Sequence, residues 1–366
     1  MGVQKFESVQ FLLELIQVTV GNREVLSKQP SNELWSEVFA LASRHAIISP
    51  LLSGIEKLPE LQRPPQGLLL KWCAFSLLIE ERNKSANKAA TDLVKKLDSD
   101  GFVSCILKGQ GIALYYPEPL SRHCGDIDVW LGSDEKKVIK YIRELSPSSK
   151  ACYHHIHAPE FEGIEVEAHY RPAFFHSPFT DRQFQNWAAN AFKEQVSNEV
   201  LLPGQSTPVS VPTTAFNLVH LPIHIYTHFF YEGIGLRQLM DFYFVLMSDI
   251  SETERQAAVM VLKKFRMLRF MSAMMYVLRI VFGLSRDRFL VPEDVKYGEV
   301  LLAEVINAGN FGEYDEVNIK KRGHSLLYIG FIGVLRNARH FLMSPSEVFW
   351  TPFFKIWHWF WRLRHN

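Results

Sequence analysis

The 366-residue chain is short of cysteine, of net charge and of long apolar runs. Its four cysteines, Cys73, Cys105, Cys124 and Cys152, show no Cys-x-x-Cys pairing. A disulfide-built scaffold is excluded, and the pattern points to a reducing compartment. Forty Lys and Arg stand against 39 Asp and Glu, a net charge of +1. That balance gives no global electrostatic basis for gripping long nucleic acid. The longest apolar run, "SLLYIGFIGVL" at 325–335, is too short to span a bilayer. The N-terminal stretch carries Glu7 and Glu14 and lacks a small-residue cleavage site. It reads as an amphipathic helix, not a signal peptide. No internal repeat or low-complexity segment is apparent. A cytoplasmic protein is expected.

What is present is ordinary globular composition, 47% hydrophobic and 22% charged. The length exceeds what one core usually serves, so two or three domains are expected. Residues 1–95 read as helical, with Ser31 or Asn32 capping a second helix and Asp100-Gly101 ending a long one. The period then changes. "FVSCILKG" reads as a buried strand meeting a turn, and "QGIALYYPEP" begins a helix stopped by Pro117 and Pro119. "GDIDVWLG" is the next strand, and Ser133 is the expected cap of a helix after it. "YHHIHAP" and "GIEVEAHYRP" alternate at period 2 and predict two antiparallel strands joined through Pro159 to Gly163. From about 211 the chain is helical again, with Pro222 inside one helix. The expected fold is α+β: helices over 1–95, a mixed-sheet domain over 96–205, and a helical domain over 206–366.

The stretch "CGDIDVWL" at 124–131 carries the chemistry. Side chains alternate along a strand, so Asp126 and Asp128 share one face while Ile127 and Val129 enter a core. Two like charges about 7 Å apart on an otherwise apolar strand call for a cation between them. A third carboxylate, Glu167 or its same-face neighbour Glu165, lies on a later strand. Three such carboxylates suit two Mg²⁺ ions, one activating an attacking hydroxyl and one holding a triphosphate. Lys108-Gly109 forms a turn after the preceding strand, where a cation and backbone N–H groups could meet phosphate.

"ILKGQGIALYYPEPLSRHCGDIDVWL" followed by "IEVEAHYRP" resembles the nucleotidyltransferase superfamily of DNA polymerase β type. It is more closely similar to the bacterial group described as uncharacterised nucleotidyltransferases. The shared features are Lys108-Gly109, Pro117 or Pro119 with Arg122, Gly125-Asp126-Ile127-Asp128, Glu167-Ala168-His169-Tyr170, and Arg237 with Asp241. The resemblance implies a minimal nucleotidyltransferase domain between helical regions. It implies Mg²⁺-dependent transfer of an NMP from an NTP, ATP among them, to an unidentified hydroxyl or phosphate acceptor. Asp126, Asp128 and Glu167 would bind metal and carry the chemistry. Lys108, Gly109, Arg122, His169, Arg237 and Asp241 would contact the nucleotide. Two departures stand out: Gly109-Gln110-Gly111 lacks the usual serine hydroxyl, and the third carboxylate is Glu where Asp is common. The alternatives are a non-catalytic nucleotide-binding module, a protein-modifying nucleotidyltransferase, and a structural interaction protein.

The histidines His154, His155, His157 and His169 admit a zinc site. With no cysteine recognised at ligand spacing, hairpin packing is the expected role, with His169 lining the site. His220, His224 and His228 suggest a kinked core helix whose polar face turns toward the site. The aromatic, basic C-terminus "FWTPFFKIWHWFWRLRHN" is expected to pack internally, with Pro352 in its first turn. The alternative is weak contact with a membrane or a partner, which would place the protein peripherally at a membrane.

Overall fold

The structure is a computed structural model and describes residues 3–231, 233–310, 333–335 and 337–365. Most of the apolar run at 325–335 lies outside the described residues. Among them, no helix is long and apolar enough to cross a membrane.

Three helices open the chain: α1 (Val3–Thr19), α2 (Asn32–Arg44) and α3 (Ile48–Lys57). The Ser31 side chain caps α2 by accepting from the Leu34 N–H. The 34-residue α4 (Gln66–Ser99) then runs to the expected stop. Four strands follow, interrupted by short α5 (Gly109–Ala113) and by α6 (Glu135–Leu145). They are β1 (Ser104–Leu107), β2 (Ile127–Leu131), β3 (His155–Phe161) and β4 (Ile164–His169). Their order is β1-β2-β4-β3; β2 and β4 are parallel and the outer pairs antiparallel. The small sheet is therefore mixed, inside a mostly helical α+β chain.

Two local expectations are corrected. Asp134, not Ser133, caps α6, because its carboxylate reaches the Lys137 N–H at 3.0 Å. The β3–β4 turn is only Glu162-Gly163, and Pro159 lies within β3. Both turn residues have positive φ, 50° and 78°, as a tight two-residue hairpin favours. The pairing register shifts between Ala158 and Phe161, where proline cannot donate to the ladder.

Helix α7 (Pro178–Ser197) was not anticipated by the sequence pattern. Ser177 caps it, Pro178 occupies its first turn, and Phe184 anchors it in the core. A short hairpin, β5 (Glu199–Val200) with β6 (Val209–Ser210), precedes α8 (Thr214–Tyr231), α9 (Leu236–Met247), α10 (Glu252–Lys264), α11 (Leu268–Phe282) and α12 (Val295–Ala308). The last helix, α13, spans Pro345–His365. It starts earlier than expected, so Pro352 lies inside it and not in its first turn.

Packing explains the sheet's two faces. Ile127, Val129, Leu131, Val166 and Ala168 enter a core shared with Ala86–Leu97 of α4 and Val138, Ile139 and Ile142 of α6. Leu107 and Trp130 join the other core, in which α1–α3 pack with α8–α12. Asp128 lies on that second face, so the strand that buries Val129 on one side aims its carboxylate at α8 and α9 on the other.

Candidate active site

The parallel register places Asp128 opposite Glu167, two carboxylates on neighbouring strands of one face. Asp126 precedes β2 by one residue and shares that face by alternation. All three line one cleft of about 450 Å³. Glu165, one pleat further out on β4, is exposed and does not line it.

Asp128 is heavily partnered. Its Oδ1 meets the Lys108 Nζ and the His169 Nε2, each at 2.7 Å. His169 is buried, its Nδ1 lies 3.2 Å from the Arg171 carbonyl, and its Nε2 also lies 3.4 Å from Glu167. A ring whose one nitrogen faces a carbonyl and whose other faces two carboxylates is suited to carrying two protons. Burial opposes that charge, yet the Asp128 and Glu167 bonds outweigh it and raise the His169 pKa. Burial likewise opposes ionisation of Asp128, but the Lys108 ammonium and the His169 ring hold its carboxyl below the usual range. Glu167 is held low in the same way, burial being outweighed by its His169 bond.

Asp126 differs. Burial, then the charges of Asp128 and Glu167, push its carboxyl up to about 6. Two cations thus serve three carboxylates, and Asp126 is the one left short of positive charge.

Lys108 is held to this face by its backbone. Its φ of 48° and ψ of −123° lie in a region that non-glycine residues seldom adopt. The turn carries its side chain to Asp128, while Gly109 begins α5 and also lines the cleft.

Arg122, Arg237 and Asp241 line the cleft too, but in a separate buried network. Arg122 forms a two-bond fork with Asp241, 2.7 Å on each arm, and Tyr116 adds its hydroxyl to the same carboxylate at 2.6 Å. Arg237 donates to the His123 carbonyl at 2.8 Å. Asp241 therefore pairs through two bonds with Arg122 from the loop before β2, and the charge of Arg237 one turn away acts on the same carboxylate. The fork ties α9 to the loop that leads into the carboxylate-bearing strand β2. Among the α8 histidines, His224 and His228 line the cleft, while His220 is buried against the Pro172 carbonyl at 3.0 Å.

Some residues that the sequence assigned to hairpin packing or to the tail also line the cleft. His155 and His157 border Glu167, at 3.3 and 3.7 Å, and Cys152 lines the cleft with them. The alternation of His155 and His157 along β3 was visible; their approach to Glu167 depends on the β3–β4 pairing. His358 and Arg362 of α13 close another side of the cleft. They arrive because Phe354 stacks on Phe174 and His176, at 5.3 and 4.6 Å, and meets Tyr153 edge-on at 5.6 Å. Nothing local to the tail encodes that address.

The expected internal packing of the tail holds for one face only. Glu347, Thr351 and Phe354 are buried, whereas Phe349, Phe353, Ile356, Trp359 and Phe360 are about half exposed.

Residues 31–283 match the family described as "Uncharacterised nucleotidyltransferase". One similar solved structure is described as an antigenic nucleotidyltransferase-like protein from Paracoccidioides brasiliensis. It is 15% identical, the alignment covers 49% of this chain and 88% of that one, and the TM-score is 0.29. No curated protein matches the chain.

Proposed function

The chain belongs to the uncharacterised nucleotidyltransferase family, and on that premise we propose that it transfers an NMP from an NTP to a hydroxyl or phosphate acceptor, releasing pyrophosphate. We propose also that its mixed sheet is a minimal domain of the polymerase β type. The observation that carries the reading is the carboxylate trio: Asp128 and Glu167 in register, Asp126 beside them, all in one cleft.

Whether these residues suit a divalent ion can be judged from Asp126. Its raised pKa marks a half-buried carboxylate short of counter-charge, and the oxygens of three carboxylates suit Mg²⁺. Asp126, Asp128 and Glu167 would hold the ions. When bound, Mg²⁺ would neutralise triphosphate charge and lower the pKa of the acceptor hydroxyl. Lys108 would exchange its bond to Asp128 for one to a phosphate oxygen. Glu167, kept ionised by its histidine neighbours, would help take the acceptor's proton. Arg122 would act through its Asp241 fork, fixing α9 over the nucleotide with Arg237, and His169 would orient Asp128 and Glu167. Catalysis on this reading is positioning plus charge neutralisation.

One observation favours a second reading. Lys108 and His169 already satisfy Asp128, as they would in a module that binds nucleotide without turnover. The test is to incubate the chain with each α-labelled NTP, Mg²⁺ and a lysate fraction, and to follow the label. Transfer to a small molecule, lost in Asp126→Asn and Asp128→Asn, supports the enzyme. Labelled protein bands make it a protein-modifying enzyme. Saturable NTP binding without transfer selects the binding module, and no binding refutes both readings.

A further inference from the structure

Strand β3 carries His155 and His157 two positions apart, so both rings leave the same face. Their Nε2 atoms lie 3.4 Å apart. That is long for a hydrogen bond between rings. It is, however, the separation of two nitrogens on one tetrahedral ion: two bonds of about 2.0–2.1 Å at the tetrahedral angle span about 3.3–3.4 Å. The other ring nitrogens lie at ion-pair distance from one carboxylate. The Nδ1 of His155 lies 3.3 Å from Glu167 Oε2 and that of His157 lies 3.7 Å from Oε1. His154 Nε2 also approaches His155 Nδ1, at 3.0 Å. The contact with His154 holds the proton on His155 Nδ1, with the Glu167 charge close by, and leaves His155 Nε2 to a metal.

A sulfur completes the set. One ligand atom from each of Cys152, His155 and His157 lies within 4.8 Å of the others. The Cys152 N–H donates to the His155 carbonyl at 2.8 Å, and Ala151 bridges to Ile156. These bonds fold the chain back so that the Cys152–His155–His157 spacing becomes a cluster. The His157 side chain is about half exposed, so the open side faces the cleft and solvent.

We infer that Cys152, His155 and His157 form a second metal site, for a zinc-type divalent ion, at the rim of the cleft. Two imidazoles and a thiolate select a borderline-soft cation over Mg²⁺, which takes oxygen ligands. A cleft molecule or water would take the fourth position. Glu167 lies beside both ring ligands, so the charge of the ion would act on the same side chain that sits opposite Asp128. The site needs neither nucleotide nor Mg²⁺.

The test uses the full chain stripped with a chelator and titrated with Co²⁺. Expected are a thiolate-to-cobalt charge-transfer band and the intense visible bands of four-coordinate cobalt, both abolished by one equivalent of Zn²⁺. Cys152→Ser should lose the charge-transfer band. His157→Ala, at a half-exposed position that should tolerate it, should weaken Zn²⁺ by at least about tenfold. Asp126→Asn should keep both bands, since Asp126 belongs only to the carboxylate trio. A spectrum of six-coordinate cobalt without the thiolate band overturns the site. So does a spectrum unchanged in both Cys152→Ser and His157→Ala, or one lost in Asp126→Asn. None of these readouts depends on label transfer, so the two proposals can fail separately.

Discussion

Asp126 and Asp128 are two residues apart, yet replacing each by asparagine should move stability in opposite directions. Asp126 ionises in the folded chain only near pH 6, against an ordinary value of 3.8. The difference of about 2 pKa units corresponds to about 3 kcal/mol. The folded state binds that proton more tightly than the unfolded state. Stability contributed by the neutral carboxyl is therefore fully present below pH 4 and lost as pH rises through 6. Asp126→Asn removes the loss. Without metal, it should be more stable than wild type by up to about 3 kcal/mol at pH 7.5, with the gap closing toward pH 4. Asp128 is the partner of Lys108 and of buried His169. Asp128→Asn leaves those cations short of charge and should cost about 3–5 kcal/mol. Urea titrations in EDTA at pH 4, 5.5 and 7.5 read both effects. Loss of stability in Asp126→Asn at pH 7.5, or a gain that does not vary with pH, would refute the electrostatic account of the trio. Both variants should still lose label transfer.

Glu167→Gln should cut label transfer by orders of magnitude, while Glu165→Gln, exposed and outside the cleft, should leave it within a few-fold; the reverse ranking would show the wrong glutamate chosen. Asp241→Asn should cost about 3–5 kcal/mol by stranding the Arg122 guanidinium, and the double variant Arg122→Met with Asp241→Leu should lose much less than the sum of the singles. Chemical denaturation of the four proteins decides it, and strict additivity would deny the coupling. Glu347 is buried, and its carboxyl is pushed up to about 8, so wild-type stability should fall as pH rises from about 4.5 through 8. Melting curves of Glu347→Gln should show an advantage over wild type that grows across that range, and a constant difference would count against a buried, proton-bearing Glu347.

The parts legible in the sequence were those whose signal is local. The alternation of Asp126-Ile127-Asp128-Val129 gave the strand and its two faces together, and both apolar residues are buried while Asp128 faces the cleft. Lys108-Gly109 and Glu167 were legible for the same reason. Arg122 and Asp241 were found as individuals, but their fork was not, because 119 residues separate them and neither flank records the other. The histidine strand shows the limit most clearly. Read along the chain, Cys152 has no zinc-finger spacing; the back-turn at Ala151 and Ile156 supplies the proximity that sequence distance hides. Helix α7 was passed over because its polar residues dilute the apolar period, though Ser177-Pro178 is a sound helix start.

The cleft's walls come from parts of the chain with different standing in the family. The match over residues 31–283 takes in the carboxylates, the histidine strand and helices α8 and α9. It stops before α13, which brings His358 and Arg362 to the rim. Their placement rests on Phe354, Thr351 and Glu347, which dock on the segment containing Phe174 and His176, directly after β4. That segment continues the strand bearing Glu167 and His169, so α13 is fixed to the carboxylate face by a short connection. The floor of the cleft can thus be common to the family while its rim is set by a helix outside the matched span. On the proposed reading, charge neutralisation at the phosphates belongs to the floor. Discrimination among acceptors is then to be sought at Arg362, the cation that α13 brings to the cleft, and at His358 beside it, which burial keeps neutral by lowering its pKa to about 4.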